Sequence, residues 1–459
     1  MAAFDVLVIG GGPAGYTAAL EAARRGASVA LVEAEQLGGA CVHHACIPTN
    51  IMLGAVDTFV AARELDALGV FAVGEQFNYP RAGARRLPLI HRLEEGIAAA
   101  LKQRRVTRVF GRAAFVSPDS ITLSGDDKEI SAEAFVIATG TRWEPPELPG
   151  LSPERLLTAD QVQSLLTLPA SALVIADGPA GTSFALEYAF LLAVAGVNVT
   201  VAAPGKRLVP GLDAALAEAA AAVLTDVGAT VLTDATFAEA DGSSIILMQR
   251  HERTRAEAEV VVFADPRRPF FQTLNLKSAG VQAGEHIAVD RSCRTSVPHI
   301  FAAGDVTGGA MLTSAALHMG EVAGANAAGG EARTRLRALP QLLHTTPEIA
   351  WVGLTEAQAR EQGFEAVTGV FDLSFNARAV TLGARQGIVK VVAESGLGEL
   401  LGVHVVGPGA GEIIALASLA MQAELPLAEL GALVLWHPSI AEGLVEAARR
   451  AGQSFAASM

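Results

Sequence analysis

Cysteine is nearly missing from this chain, whose 459 residues contain only Cys41, Cys46 and Cys293. Three thiols cannot staple a small secreted framework, so a disulfide-built fold is excluded. Aromatic residues are sparse at 5%, and charge is thin at 18% against a usual share of about 25%. Basic charge is the scarcer sign: 34 lysines and arginines face 48 acids, for a net charge of −14. Such a chain is a poor non-specific binder of nucleic acid or anionic membrane, and no nucleic-acid partner is expected. The opening MAAFDVLVIGGGPAG has neither the basic start nor the cleavage site of a secretory signal. The nearest thing to a membrane span is Ser183 to Ala203, where Glu187 is the only charge. Gly196 and Asn198 divide it into a buried helix and a buried strand, so no membrane span is expected. These absences predict a soluble, cytoplasmic protein.

What is present is small and apolar. Hydrophobic residues make up 51% of the chain, and 46 residues are glycine. At about 150 residues per domain, the length allows three domains with large cores. The first 33 residues read strand (Phe4 to Ile9), tight turn (Gly10 to Gly15), helix (Tyr16 to Arg25) and strand (Ala27 to Val32), closing at Glu33. A weaker copy starts near Ser171: strand Leu173 to Ala176, turn AlaAspGlyProAlaGly, helix Thr182 to Ala195, a cap at Gly196, and strand Val197 to Ala202. The polar stretch GGEARTRLR, Gly329 to Arg337, resembles a linker. Beyond it GIVKVVAE and ELLGVHVVG alternate like antiparallel strands, followed by helices around Glu412 to Gln422 and Ser439 to Arg449. The expected class is therefore α/β, with two Rossmann-like dinucleotide-binding domains and a C-terminal α+β domain.

Gly10, Gly12 and Gly15 form G-x-G-x-x-G between a strand and a helix. The first glycine allows the turn, the second admits a pyrophosphate to the backbone, and the third lets helix and strand pack closely. Glu33, ending the next strand, is placed to accept hydrogen bonds from ribose hydroxyls. Cys41-Val-His-His-Ala-Cys46 opens a predicted helix, where a disulfide could span one turn and the helix terminus would lower a thiolate pKa. Two other readings stand beside it: ordinary core cysteines, or a metal site of Cys41, His43, His44 and Cys46. Four ligands within six residues strain a tetrahedral site, so no metal residues are assigned. Near the C-terminus, Ser439-x-x-Glu442 is a capping box, and His437 precedes Pro438 in a turn.

LGGACVHHACIPTN (37–50) resembles the LGGTCLNxGCIPSK signature of the FAD-dependent disulfide reductases, the pyridine nucleotide-disulfide oxidoreductase family. The resemblance runs the length of the chain. Ile137 to Gly140 is similar to the family's second FAD segment, and CRTSVPHIFAAGDV, ending at Val306, to its third. HTTPEIAWVGLTEAQA and HPSIAE are similar to its dimerisation domain, and the texture is nearest the dihydrolipoamide dehydrogenase branch.

The resemblance implies a first FAD-binding part over 1–148, an NAD(P)-binding-like domain over 149–265, a second FAD-binding, central part over 266–335 and a dimerisation domain over 336–459. It implies FAD as cofactor, held by Gly10, Gly12, Gly15, Glu33, Thr139, Gly140 and Asp305. Cys46 would face the flavin and Cys41 would exchange with a small dithiol or a lipoyl-domain substrate. His437 and Glu442 would be the acid–base pair, reaching the cysteines of the other subunit of a homodimer. An imidazole held by a carboxylate suits the making of a thiolate near neutral pH. Cys293 is expected to be structural.

The departures from the family pattern gather on the nicotinamide side. Ala176 replaces the first glycine of the second turn, Ser183 a gating aromatic, and Ala203 the residue that meets the ribose, with Lys206 and Arg207 further on. Pro266 stands at another glycine and Asn50 at a lysine that pairs with the glutamate matching Glu187. The helix after the second turn is also longer than the family's. These changes predict altered or lost nicotinamide use. NAD(P) is therefore undecided as acceptor, and a quinone, an electron-transfer protein or oxygen enters as the alternative. A second alternative is a flavoprotein that binds or reduces a soft metal ion through CVHHAC.

Overall fold

The computed structural model describes residues 2–63, 77–144, 146–176, 182–209, 211–264, 267–384 and 386–458. They group into two units: Met1–Ile51, Arg81–Pro146 and Asp265–Leu336 form one, and Met52–Pro80, Glu147–Ala264 and Arg337–Met459 form the other.

The first unit is built on a sheet with the order Thr107–Phe110, Val29–Glu33, Ala2–Ile9, Asp126–Ile137, Ser120–Leu123, Ala113–Ser117. The first four strands are parallel, and Ile300–Ala302 adds in parallel to Asp126–Ile137. Val6, Leu7 and Val8 are fully buried, as a central parallel strand covered on both faces requires. The first helix, Pro13–Arg24, starts three residues earlier than the apolar spacing predicts, because Pro13 has no N–H to lose in the first turn. The second strand is Val29–Glu33, two residues later than expected, since the Asp5 carboxylate holds the Ser28 N–H at 2.6 Å and its hydroxyl at 2.8 Å. The helix Thr313–Ala327 lies directly on Pro13–Arg24. A Cβ on Gly320 would stand 2.4 Å from the Ala14 carbonyl oxygen, and one on Gly324 2.3 Å from that of Ala18. Glycine at these two positions is what lets the backbones meet.

The second unit contains a parallel sheet with the order Thr230–Leu232, Asn198–Ala202, Ser171–Ile175, Val260–Phe263, Leu156–Thr158. The apolar stretch from Ser183 to Ala203 resolves into the helix Thr182–Val194 and the strand Asn198–Ala202, with Gly196 at φ +93° between them. Of the turn AlaAspGlyProAlaGly, Asp177 to Gly181 lie outside the described residues, as do Asp265 and Pro266. A five-stranded antiparallel sheet, Gln341–Leu343, Ile349–Gly353, Leu400–Val406, Ile388–Glu394, Ala366–Asp372, follows in the C-terminal part. Its core gathers Val389, Val391, Val403 and Val405 with Ile413, Ala417, Leu444 and Ala448 of the helices Ala410–Gln422 and Glu442–Ser458.

One helical run among the described residues, Gly39–Arg63, is long and apolar enough to cross a membrane by length and composition. Its Met52, Leu53 and Val56 are buried within the protein, as in a core helix of a globular fold.

Lys390 is an internal cation, its Nζ 2.8 Å from Asp213 and 3.2 Å from Glu356. Burial alone would raise the Asp213 carboxyl, but the ammonium outweighs it and holds the carboxyl below its usual range. Burial opposes the charge on Lys390 as well, and the two carboxylates reverse that and raise its pKa. Asp213's contribution is thus present above the ordinary carboxylate range and lost as pH falls through its depressed value. Lys390's contribution is lost only as pH rises through its raised one. Lys390→Met leaves Asp213 buried without its cation, and we expect a loss of about 3 kcal/mol at neutral pH. Urea titration measures it, and the loss should shrink toward strongly acid pH, where wild type itself forfeits the pair.

Candidate functional site

The turn after Ala2–Ile9 is shaped by steric necessity. Gly10 sits at φ +104°, and a Cβ on Gly15 would lie 1.8 Å from the Gly10 carbonyl oxygen. Gly12 caps Pro13–Arg24 with no side-chain hydrogen bond and no acid in the first turn, so the helix presents its amides and positive end unmasked. Glu33 accepts the Gly11 N–H at 2.5 Å on one carboxylate oxygen and the Glu35 N–H at 2.7 Å on the other. Each oxygen keeps a lone pair, so a fixed carboxylate remains able to accept from a ribose. Thr139 donates its hydroxyl to the Phe270 carbonyl, and Gly140 accepts the Phe270 N–H at 2.9 Å. Asp305 follows Gly304, which lies at φ +78°, and its carboxylate is 3.2 Å from Arg267. Burial raises the Asp305 carboxyl, and the guanidinium opposes that. All seven residues predicted to hold the cofactor lie in the first unit. Uncapped amides for phosphates, a fixed carboxylate for a ribose and a buried acid for a polyol fit a dinucleotide. Gly15→Ala forces the turn open, and we expect protein that purifies without a flavin absorbance band and is at least about 3 kcal/mol less stable.

Gly39 packs against this turn, where a Cβ would stand 2.9 Å from the Gly12 Cα, and the Gly38 N–H donates to the Gly11 carbonyl at 2.9 Å. The backbone therefore carries Cys41 and Cys46 to the glycine turn. They do not share one helix as expected. Cys41 lies in the short helix Gly39–His43, and Cys46 opens the helix Cys46–Arg63 after a break at His44 and Ala45. Both are free thiols. The hydroxyl of Thr313 lies 3.3 Å from the Cys46 sulfur and 3.5 Å from the Cys41 sulfur. The Cys41 thiol is pushed far above its ordinary range, first because its hydrogen is shared with Cys46 and then by burial. Asn50 turns back and donates to the Cys46 carbonyl at 2.9 Å. Cys293 is fully buried with its sulfur 3.6 Å from the Met319 carbonyl, and burial pushes its thiol up to about 12.

In the second unit, His437 is exposed, and its Nδ1 is 3.0 Å from Glu442. The same carboxylate accepts the Ser439 N–H at 2.9 Å. That backbone bond, and then the imidazole, hold Glu442 below the usual carboxylate range. Capping and imidazole-holding are therefore both done by one side chain.

The second turn and its surroundings differ in character. Ala176 and Ala203 are buried, so no side-chain acceptor stands at either position, and Ser183 is half-buried. Glu187 is buried and receives both the backbone N–H of His344 at 2.9 Å and its Nδ1 at 3.0 Å. Burial disfavours the imidazolium, but Glu187, helped by Glu348 and Asp57, outweighs it and raises the His344 pKa. Neither Thr313 nor His344 stands out in the sequence. A lone charge in the apolar helix Thr182–Val194 does demand a buried partner, but its spacing says nothing of where that partner lies.

His43 gives its Nε2 to the Leu37 carbonyl at 2.8 Å. Among the described residues no group of three or more His, Cys, Asp or Glu side chains is placed to hold a metal ion.

Residues 4–320 match the family described as pyridine nucleotide-disulphide oxidoreductase, and residues 339–448 match the dimerisation domain of that family. The chain is 35% identical to a dihydrolipoyl dehydrogenase of Thermus scotoductus over 98% of its own length and 97% of the relative's. It is 32% identical to a dihydrolipoyl dehydrogenase of Bacillus subtilis, covering 96% of this chain and 97% of that one. Among solved structures it resembles LpdA from Mycobacterium tuberculosis, with a TM-score of 0.88 at 29% identity, over 98% of this chain and 99% of that one. It also resembles the HOCl-induced flavoprotein disulfide reductase RclA from Escherichia coli, with a TM-score of 0.83 at 25% identity, over 97% and 99% of the two chains.

Proposed function

The chain belongs to the pyridine nucleotide-disulphide oxidoreductase family, and from that premise we propose that it oxidises a small dithiol or a lipoyl group at Cys41 and Cys46. It is a dihydrolipoyl dehydrogenase-like, FAD-dependent disulfide oxidoreductase. The observation that carries the substrate reading is the thiol pair at the glycine turn, with the Thr313 hydroxyl within reach of both sulfurs. Gly10, Gly12, Gly15, Glu33, Thr139, Gly140 and Asp305 would hold FAD, which supplies a two-electron acceptor for the reduced pair. His437, fixed by Glu442, takes the proton of a substrate thiol, and the thiolate attacks Cys41. The Cys41–Cys46 bond breaks and leaves its electron pair on Cys46. The second substrate thiol then closes the substrate disulfide and releases Cys41.

The working form we propose is a homodimer. The matched dimerisation domain supports it, as does the apolar surface around the imidazole, where Val434 is 96% and Trp436 69% exposed. His437 of one protomer would serve the cysteines of its partner. The protein would work in the cytoplasm.

We propose further that nicotinamide use is altered. Ala203 offers a ribose nothing to bond to, and Glu187 is already bound by His344. A soft-metal role for CVHHAC has less support, because His43 is engaged by a carbonyl and no ligand cluster surrounds it among the described residues.

Anaerobic titration of the oxidised holoprotein with dihydrolipoamide, NADH and NADPH separates these statements. We expect dihydrolipoamide to reduce the flavin through a long-wavelength thiolate–flavin band, and both nicotinamides to act weakly. Rapid reduction by micromolar NADH overturns the nicotinamide proposal alone. Reduction by NAD(P)H with no response to any dithiol overturns the substrate.

A further inference from the structure

Basic residues are the scarcer charges of this chain, yet they gather at one place in the first unit. From Ile97 to Ser117 there is no acid, while Lys102, Arg104, Arg105, Arg108 and Arg112 follow closely on one another. They span the end of the helix Arg86–Gln103, a tight turn and the strand Thr107–Phe110. Arg112 is occupied by Glu35 at 3.5 Å. Lys102, Arg104, Arg105 and Arg108 are exposed, and among the described residues no side-chain partner meets any of them. Cations at a helix end ordinarily serve its last carbonyls. Here the backbone does that work: the Arg104 N–H donates to Ala100 at 3.2 Å, Arg105 to Lys102 at 3.0 Å and Val106 to Leu101 at 3.0 Å. Arg105 closes the helix at φ +58°, where glycine would sit without strain. The helix end therefore explains neither the cations nor the arginine in the left-handed position.

The strand beside them is an edge. Among the described residues Thr107–Phe110 pairs only with Val29–Glu33, which leaves its outer N–H and C=O groups without a ladder. Charges on an edge strand can serve to keep other chains away. Guarding does not account for Phe110, which is 77% exposed, nor for the cavity of about 420 Å³ lined by Ala98, Ala99, Lys102, Arg105, Val106 and Arg108. We propose that this edge is a docking site for an extended acidic segment of a partner protein, which adds to Thr107–Phe110 as a further strand and sets its carboxylates against Lys102, Arg104, Arg105 and Arg108. The open strand supplies main-chain hydrogen bonds of the kind that bind an added strand whatever its sequence. The cations then select for acid, since the planar guanidinium fork takes a carboxylate through two parallel bonds. Phe110 and the apolar part of the cavity give the segment's alternate, uncharged side chains a place to pack. With a net charge of −14, the chain as a whole repels an acidic partner, and an acid-free stretch fixes where such a partner lands. A free phosphate would use the cations and leave the strand edge and Phe110 without a role. A nucleic acid has no amide backbone to pair with the strand. No step of the dithiol chemistry is involved.

The test is fluorescence anisotropy with the holoprotein and a fluorescein-labelled peptide in which glutamate alternates with valine. We expect binding at low salt with a Kd on the order of 10 μM, weakening as salt screens the cations. A lysine–valine peptide of the same length should not bind. The variant carrying Arg104→Glu, Arg105→Glu and Arg108→Glu should bind the acidic peptide at least about tenfold more weakly, three exposed ion pairs being lost together. Arg105→Gly relieves the left-handed backbone, so its melting temperature should not fall while its affinity does, and it keeps the test open if the triple variant does not fold. A glutamate–valine peptide methylated at alternate amides keeps every charge but loses main-chain donors, and it should also bind at least about tenfold more weakly. No binding of the acidic peptide at low salt, or an affinity unchanged in Arg105→Gly and in the triple variant, overturns the docking site. Equal binding of the methylated peptide overturns the added strand. Tighter binding of inorganic tripolyphosphate or of a single-stranded DNA oligomer overturns the acidic protein segment as the occupant.

Discussion

Cys46→Ser stops electron flow from dihydrolipoamide to the flavin, a loss of about 10⁴-fold or more in turnover, as when a nucleophile is deleted. The serine hydroxyl is of similar size and can share a hydrogen bond with the Thr313 hydroxyl as the thiol does, but it neither forms a disulfide nor ionises near neutral pH. Flavin content and melting temperature should stay close to wild type, since the cofactor residues belong to the glycine turn, Glu33 and the segments around Thr139 and Asp305. Cys41→Ser should be equally inactive for a different reason. It loses the sulfur that meets substrate while Cys46 can still rest as a thiolate. Stopped-flow flavin spectra distinguish the two, with a thiolate–flavin band surviving in Cys41→Ser and missing in Cys46→Ser. Dithiol turnover that persists in either variant would mean that the pair is ordinary core chemistry.

The second large effect belongs to His437. Its imidazole is held at 3.0 Å by Glu442, whose carboxyl is kept below the usual range by the Ser439 N–H and then by the imidazole. Glu442 is thus ionised throughout the neutral range, and its hold on His437 is lost only as pH falls through that depressed value. His437→Gln removes the base and should lower dithiol turnover about 10²–10⁴-fold near pH 7. The defect carries a signature that a structural lesion lacks. It should narrow as pH rises toward the substrate thiol's own ionisation, near about 8.5 for a cysteine-like thiol, because a thiolate formed in solution needs no base. Glu442→Gln should fall between wild type and His437→Gln. A deficit in His437→Gln that is flat from neutral to alkaline pH would remove the base assignment and leave His437 as a turn residue.

The sequence by itself determined the periodic and the covalently local parts of this protein. The apolar run of Ala2–Ile9, the glycines that follow and the closing Glu33 specify a strand, a turn and a strand end wherever they occur, because sterics and hydrogen bonding act there over a few residues. The division of the segment from Ser183 to Ala203 at Gly196 was legible for the same reason. Cys41 and Cys46, five residues apart, and His437 and Glu442, also five apart, were legible as pairs. Only the tertiary structure decided what lies across long stretches of chain. Thr313 reaches Cys46 over 267 residues, and His344 reaches Glu187 over 157. It also decided that the cysteines straddle a helix break, because the packing of Gly39 on Gly12 fixes where the first short helix must lie. Local spacing is dictated by bond geometry and can be read along the chain. A partner hundreds of residues away is set by how helices and sheets close on one another, and a hydroxyl or an imidazole carries no mark of that in its own neighbourhood.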